Sequence, residues 1–305
     1  MNCIRCGTGS RARGSGPSND RRCPNCGAEI AFSPRAGDPV SDKMFARTID
    51  RVSAEGKLRF TEGQLYYELC RTLGPVARGV FEQLWARWLA VHGAPAMIVT
   101  PWPTQAAAPT LREDDIGDYS FDRVVITDHA WIVDFLLCNN FHFETNSAVL
   151  SIDGHPAGRF EMIRAMLHKN PQIIVIAIHD ASSEGCQLPR RLVTEDGWFR
   201  EHGYVVDAGL TPAHRELYGE LWQAREPIGE SANADDPDAQ WLSRYMLDFA
   251  VVRPEKAMRR LFRASRRYGA LLDLPNGPRV GEVYTDKELL GPGKHKRIAA
   301  GEEVD

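Results

Sequence analysis

The chain has 305 residues, 43% of them hydrophobic, and a formal net charge of -4. That is enough to bury a sizeable core over two or three modest domains, and too acidic overall for a generally basic nucleic-acid coat. No apolar run approaches the roughly 18 residues of a membrane span and no secretion leader is evident, so the expectation is a cytoplasmic protein without membrane contact. Net charge conceals local patches and leaves DNA binding open.

Four of the seven cysteines fall in the first 26 residues as Cys3-Ile-Arg-Cys6 and Cys23-Pro-Asn-Cys26, each pair followed directly by a glycine, Gly7 or Gly27. Two such knuckles can point four thiolates at one Zn²⁺. The stretch between them, GTGSRARGSGPSNDRR, is too polar to fold unaided, so a zinc ribbon-like module over residues 1–32 is expected to draw its folding free energy from the metal. Two disulfides or a redox pair are the alternatives, and the paired spacing without a secretion signal favours structural zinc. Cys70 and Cys138 lie in apolar helical runs and read as buried, whereas Cys186 has no evident catalytic partner.

From Lys43 to about Val91 the pattern is helical. Thr61 with Gln64 three residues on is a capping-box pair, Leu65, Tyr66 and Leu69 follow at helical spacing, and Gly74-Pro75 breaks the run. A second amphipathic stretch carries Phe81, Leu84, Trp85 and Trp88, and Ala96 to Val99 reads as a short strand. Helix, helix, strand over residues 41–110 is compatible with a winged-helix-like DNA-binding domain. Tyr66 and Tyr67 are adjacent, so on a helix one packs while the other faces out. An exposed tyrosine hydroxyl can attack a phosphodiester, although spacing alone reads both as semi-buried aromatics.

The period changes at Phe121. Val124 to Ile126, Ala148 to Ile152 and Ile173 to Ile178 read as strands, with helices expected from Asp128 to Asn139 and from Arg159 to Lys169. Apolar strands separated by helices make a parallel sheet covered on both faces. Right-handed crossovers then bring Asp128, the Asp153-Gly154 turn and Asp180 to one edge. Asp128 and Asp180 are candidate ligands for Mg²⁺ or Mn²⁺, with Ser182 supplying a neutral oxygen and Glu184 close by in sequence. The alternative is that Asp128 caps its helix and Asp180 caps a turn with Ser182 and Ser183.

This α/β arrangement resembles the Toprim domain. Placed after a winged-helix-like segment, it resembles the A subunit of type VI DNA topoisomerase and its meiotic double-strand-break relatives. The resemblance rests on FTEGQLYYEL, on VVITDHA, on SIDGHP and on HDASSEG, with VVDAGLTP at residues 205 to 212 similar to the strand and turn that follow. It implies a Toprim-like domain over residues 120–215, Tyr67 as a covalent nucleophile, and a metal held near Asp128 and Asp180. Three positions depart from the pattern. Gly63 stands where an arginine precedes the tyrosine pair, Asp128 replaces a glutamate, and Ser182 replaces the second acid of the DxD.

Residues 216–305 read as a helical extension. Its segment VVRPEKAMRRLFRASRRYG puts Lys256, Arg259, Arg260, Arg263 and Arg267 on one helical face, which suits a DNA phosphate track, an acidic partner or a solvated face. The functional expectation is a DNA-binding protein related to type VI topoisomerase A subunits, cleaving strands through Tyr67 with a metal at Asp128 and Asp180. The alternative is a non-catalytic DNA-binding or complex-forming module with a degenerate Toprim site. No GxxxxGK[ST] motif occurs, so strand passage would require a partner ATPase, and a homodimer or a larger complex is compatible with the sequence.

Overall fold

The computed structural model describes residues 3–8, 22–23, 25–34, 37–101, 121, 123–156, 163, 173–194, 204–225, 236–266 and 282–285. The expected helix of residues 159–169, apart from Ile163, lies outside them, as do Arg267 and the spacer between the cysteine knuckles. The chain divides into two compact units, residues 1–99 with 250–255 and residues 100–249 with 256–305. Among the described residues no helix is long and apolar enough to cross a membrane.

In the first unit, both knuckles close by the same pair of backbone bonds. Gly7 N–H donates to Cys3 O at 2.9 Å and Gly27 N–H to Cys23 O at 2.8 Å. Each glycine is left-handed, at φ 70° and 69°, a conformation that side chains with a Cβ adopt at a cost. Three helices follow: α1 (Asp42–Val52), α2 (Glu62–Leu73) and α3 (Arg78–His92). Ser41 caps α1 through the Met44 amide, and Thr61 and Gln64 form the reciprocal capping box on α2. Phe32, Phe45, Phe60, Leu65, Phe81 and Trp88 form the core of this unit. Residues 96–99 do not make a full strand among the described residues. Phe60 and Ile98 meet as a single parallel bridge.

The second unit is α/β. Its strands are β1 (Arg123–Thr127), β2 (Ser147–Ser151), β3 (Ile174–Ile178), β4 (Val205–Asp207), a short pair β5 (Gln223–Ala224) and β6 (Tyr245–Met246), and β7 (Val283–Thr285). The main sheet has five strands in the order β2-β1-β3-β4-β7, and every neighbouring pair in it is parallel. β2 and β3 are buried along their whole length, as expected for strands covered on both faces. Helices α4 (Ala130–Cys138), α5 (Phe141–Thr145), α6 (Leu188–Thr194) and α7 (Pro237–Leu242) lie in this unit, and α8 spans Pro254–Arg266. Ala257, Met258, Leu261 and Ala264 form the buried stripe of α8.

Strand order decides where a ligand can sit. β1 lies between β2 and β3, so the chain leaves β1 on one side and returns on the other. The crevice beyond the carboxyl ends of β1 and β3 is therefore the topological switch point of the sheet. Asp128 directly follows β1, and His179-Asp180 directly follows β3.

Candidate metal centres

The four amino-terminal thiols come together. Cys3 and Cys26 Sγ are 3.7 Å apart, as are Cys6 and Cys23 Sγ. A tetrahedral zinc with Zn–S bonds of about 2.3 Å sets sulfur–sulfur edges of about 3.8 Å, so the cluster is compatible with zinc as it stands. Thr8 donates to the Cys6 sulfur, from its hydroxyl and its amide, and with Asn25 it lowers the Cys6 thiol to about 5. Lowering of Cys6 and Cys23 favours the thiolate a metal requires, whereas Cys26, against the Ala28 amide bond, is pushed up to about 11 by desolvation and the neighbouring sulfurs.

At the switch point, Asp128 does not cap α4. The N-cap residue is His129, whose side chain makes no capping bond, and the Asp128 carboxylate instead crosses from β1 to β3. Its Oδ2 accepts the Asp180 amide at 2.8 Å, while its Oδ1 is buried without a partner. Asp180 is clamped as well. Its Oδ1 accepts the Phe249 amide at 2.6 Å, and its Oδ2 lies 3.0 Å from His129 Nε2. Burial, reinforced by the Asp180 charge, pushes Asp128 up to about 6. The hydrogen bond to Asp180 raises His129 to about 9 against its partial burial, so an imidazolium sits over the two carboxylates near neutrality.

Gly185, which ends the HDASSEG segment, makes this approach possible. A Cβ there would fall 2.4 Å from Asp180 O and 3.2 Å from Asp128 Oδ2. Ser182 Oγ accepts the Gly185 amide at 2.9 Å, so the hydroxyl shapes its own turn. Glu184 is exposed and is not among the groups gathered at the acid pair. Asp153 is exposed in the turn at Gly154, whose φ is +80°.

Beneath the acids lies a layer that the sequence does not reveal. His179 is fully buried; its Nδ1 is 2.8 Å from Asp180 O and its Nε2 3.0 Å from Asp207 Oδ1. Burial opposes its protonation, but the bond to Asp207 and the surrounding acceptors win and hold it at about 10. Asp207 is lowered, because pairing with His179 outweighs its own burial. Gly209 donates its amide to Asp207 Oδ1 at 2.9 Å, and a Cβ at Gly209 would strike the His179 ring at 2.3 Å. Arg260 closes the layer, donating to Gly209 O and to His214 Nε2 at 3.0 Å. Desolvation and the Arg260 charge lower His214 to about 4, which leaves its ring neutral and able to accept.

Neither a family model nor a curated protein nor a solved structure matches this chain at a significant level. Arg260 faces this internal layer rather than the outer face assigned to it from helical spacing. Lys256, Arg259, Arg263 and Arg266 are the exposed cations of α8. Tyr67 is buried, at 1% exposure, with its ring 5.0 Å from that of Tyr66 in an edge arrangement. The Tyr66 hydroxyl donates to Val76 O at 2.9 Å, and burial pushes its pKa up to about 12. Gly63 has no room for an arginine without a shift, since even its Cβ would come 3.1 Å from Ala250 Cβ. Arg78 lies over the Tyr66 ring at 4.8 Å, and Glu68, the residue after Tyr67, is buried at 1% exposure. It is paired with Arg51 at 3.5 Å, Arg71 at 3.2 Å and Arg253 at 2.7 Å.

Proposed function

We propose that the chain is a Toprim-like DNA-binding protein that holds a divalent cation at Asp128 and Asp180 and presents it to a nucleic-acid phosphate. The single observation that carries this reading is the convergence of the two carboxylates at the switch point, with Asp128 Oδ1 buried and unpartnered. A buried carboxylate oxygen without a donor is costly unless a cation supplies the missing interaction. An ion held by two acids keeps open coordination positions for water and phosphate oxygens. The helical part of the first unit serves as the winged-helix-like element, the four-cysteine module is zinc-bound, and the exposed cations of α8 follow the phosphate backbone.

The second reading is a DNA-binding or complex-forming module that cuts nothing. The burial of Tyr67 at 1% exposure favours it, because a nucleophile has to reach its phosphorus. The two readings separate in one experiment. Supercoiled DNA is incubated with the protein and Mg²⁺ or Mn²⁺, denatured, and examined for nicks and protein-linked ends. Cleavage abolished by Tyr67→Phe and Asp180→Asn establishes the enzyme. Salt-sensitive binding that is lost on charge reversal of Arg259 and Arg263, without cleavage in either metal, establishes the module. Absence of DNA binding overturns the first reading and the DNA-binding form of the second, leaving only a complex-forming module.

A further inference from the structure

Three groups at the switch point, not two, are arranged to meet an ion. His129 Nε2 lies 3.0 Å from Asp180 Oδ2 and 3.8 Å from Asp128 Oδ2, and one ligand atom from each of Asp128, His129 and Asp180 falls within 4.8 Å of the others. An octahedral ion with ligands about 2.1 Å away separates neighbouring donors by about 3 Å and opposite donors by about 4.2 Å, and the 3.0 and 3.8 Å separations from His129 Nε2 to the two carboxylates fall in that range. Resting on the metal-site reading above, we propose that His129 is the third protein ligand. The resulting aspartate–histidine–aspartate centre binds Mn²⁺, or another first-row ion that accepts nitrogen, in preference to Mg²⁺.

Two independent features point the same way. The Asp128 side chain is only 9% exposed, yet its Oδ1 has no partner, which leaves an anionic acceptor unfilled at the cluster. The His129 ring is not consumed by the fold. It performs no capping at α4, its side chain is 48% exposed to arriving ions, and its backbone carbonyl is fixed by the Thr127 hydroxyl at 2.9 Å. Ion binding replaces the Nε2–H···Oδ2 contact with a nitrogen–metal bond, and the Nε2 proton leaves to solvent.

Chemistry then sets the selectivity. Mg²⁺ demands hard oxygen ligands and sheds water reluctantly, whereas imidazole suits borderline ions along the first transition row. A third carboxylate would have favoured Mg²⁺, but the position that could supply it on the β3 loop is Ser182, whose hydroxyl is engaged by Gly185. Nitrogen from the β1 side replaces oxygen from the β3 side, and the preferred ion changes with it.

The test uses the full chain with its cysteine module loaded with zinc. Mn²⁺ and Mg²⁺ are titrated separately, and bound Mn²⁺ is examined by pulsed electron paramagnetic resonance for coupling to imidazole ¹⁴N. The wild type is expected to bind Mn²⁺ at least tenfold more tightly than Mg²⁺ and to show the nitrogen coupling. His129→Gln loses the coupling and weakens Mn²⁺ about tenfold while changing Mg²⁺ less than threefold. His129→Asp is expected to tighten Mg²⁺ and erase the preference, which a variant that merely unfolded would not do. Absence of Mn²⁺ binding at millimolar concentration overturns the proposal. So does bound Mn²⁺ without nitrogen coupling, or a preference that His129→Gln leaves unchanged. Nitrogen-coupled Mn²⁺ in a protein that neither binds nor cuts DNA keeps this inference and removes the nucleic-acid reading. Mg²⁺-supported cleavage without nitrogen coupling does the reverse.

Discussion

Replacing Asp128 by asparagine isolates the electrostatic cost of the metal-free acid pair. The carboxyl is raised from 3.8 to about 6, first by burial and then by Asp180, so the native state holds the Asp128 proton more tightly than the unfolded chain does. Stability is therefore highest below the unfolded value and declines as pH rises from about 4 through about 6. At about 1.4 kcal/mol for each tenfold change in proton affinity, the ionised native site carries about 3 kcal/mol of destabilisation at pH 8 and under about 1 kcal/mol near pH 4. Asparagine mimics the neutral acid, and its amide oxygen can still accept the Asp180 N–H. His129 loses one of its acidic neighbours, Asp180 and Asp248 remaining, and gives part of the gain back, so the expected benefit at pH 8 is about 1 to 3 kcal/mol. Urea unfolding of zinc-loaded protein, followed by tryptophan fluorescence between pH 4.5 and 8, measures it. Millimolar Mn²⁺ should reverse the order, because binding to the native state stabilises only the chain that retains the ligand. If the variant is less stable than wild type at pH 8 without metal, or the gap does not widen with pH, the account of this site is wrong.

Gly209→Ala drives a Cβ to 2.3 Å from the ring of His179, which is fixed between Asp207 and the Asp180 carbonyl, and it is expected to cost about 3 kcal/mol in thermal or urea unfolding. Cys23→Ser removes a thiolate from the four-sulfur cluster. Native mass spectrometry should then show loss of one zinc per chain, with increased proteolysis within residues 1–32.

The parts that were legible in the sequence are those dictated by neighbours in the chain. The knuckles repeat a turn whose glycine and cysteine positions fix the backbone, and Thr61 with Gln64 specifies its own cap. The β-branched runs gave β1, β2 and β3, and right-handed crossovers alone bring the ends of β1 and β3 together. Tertiary partners leave no such local mark. The Phe249 amide that clamps Asp180 lies 69 residues further on, and nothing local marks it. Arg260 was placed with the outer cations by helical spacing, but it borders the stripe of Met258, Leu261 and Ala264, and Gly209 O with His214 draws it inward. His129 could have been found by its place next to a strand-end acid, since a short extended step after β1 carries its ring back over Asp128. Tyr67 faces in at 1% exposure, while Tyr66, about 100° round α2, packs edge-to-face on Phe81 at 5.3 Å.

The serine at position 182 gains a physical meaning from this arrangement. A third carboxylate there would face Asp128 and Asp180 with the His129 imidazolium, and a His179 imidazolium already paired with Asp207, to offset three anions, and like charges so close together repel strongly. Ser182→Asp would also exchange the hydroxyl that accepts the Gly185 amide at 2.9 Å for a longer side chain in a turn so close that a Cβ at Gly185 would fall 2.4 Å from Asp180 O and 3.2 Å from Asp128 Oδ2. The metal-free variant is expected to lose about 1 to 2 kcal/mol at pH 8, and less near pH 4.5, where protonation of Asp128 relieves part of the repulsion. Added Mg²⁺ should recover that loss and bind more tightly than to wild type, because the new ligand is a hard anionic oxygen. Isothermal titration with Mg²⁺, set beside unfolding at the two pH values, reads both effects. If Ser182→Asp binds Mg²⁺ no better than wild type, position 182 does not face the ion, and the nitrogen of His129 is then the only third donor that this edge of the sheet supplies among its described residues.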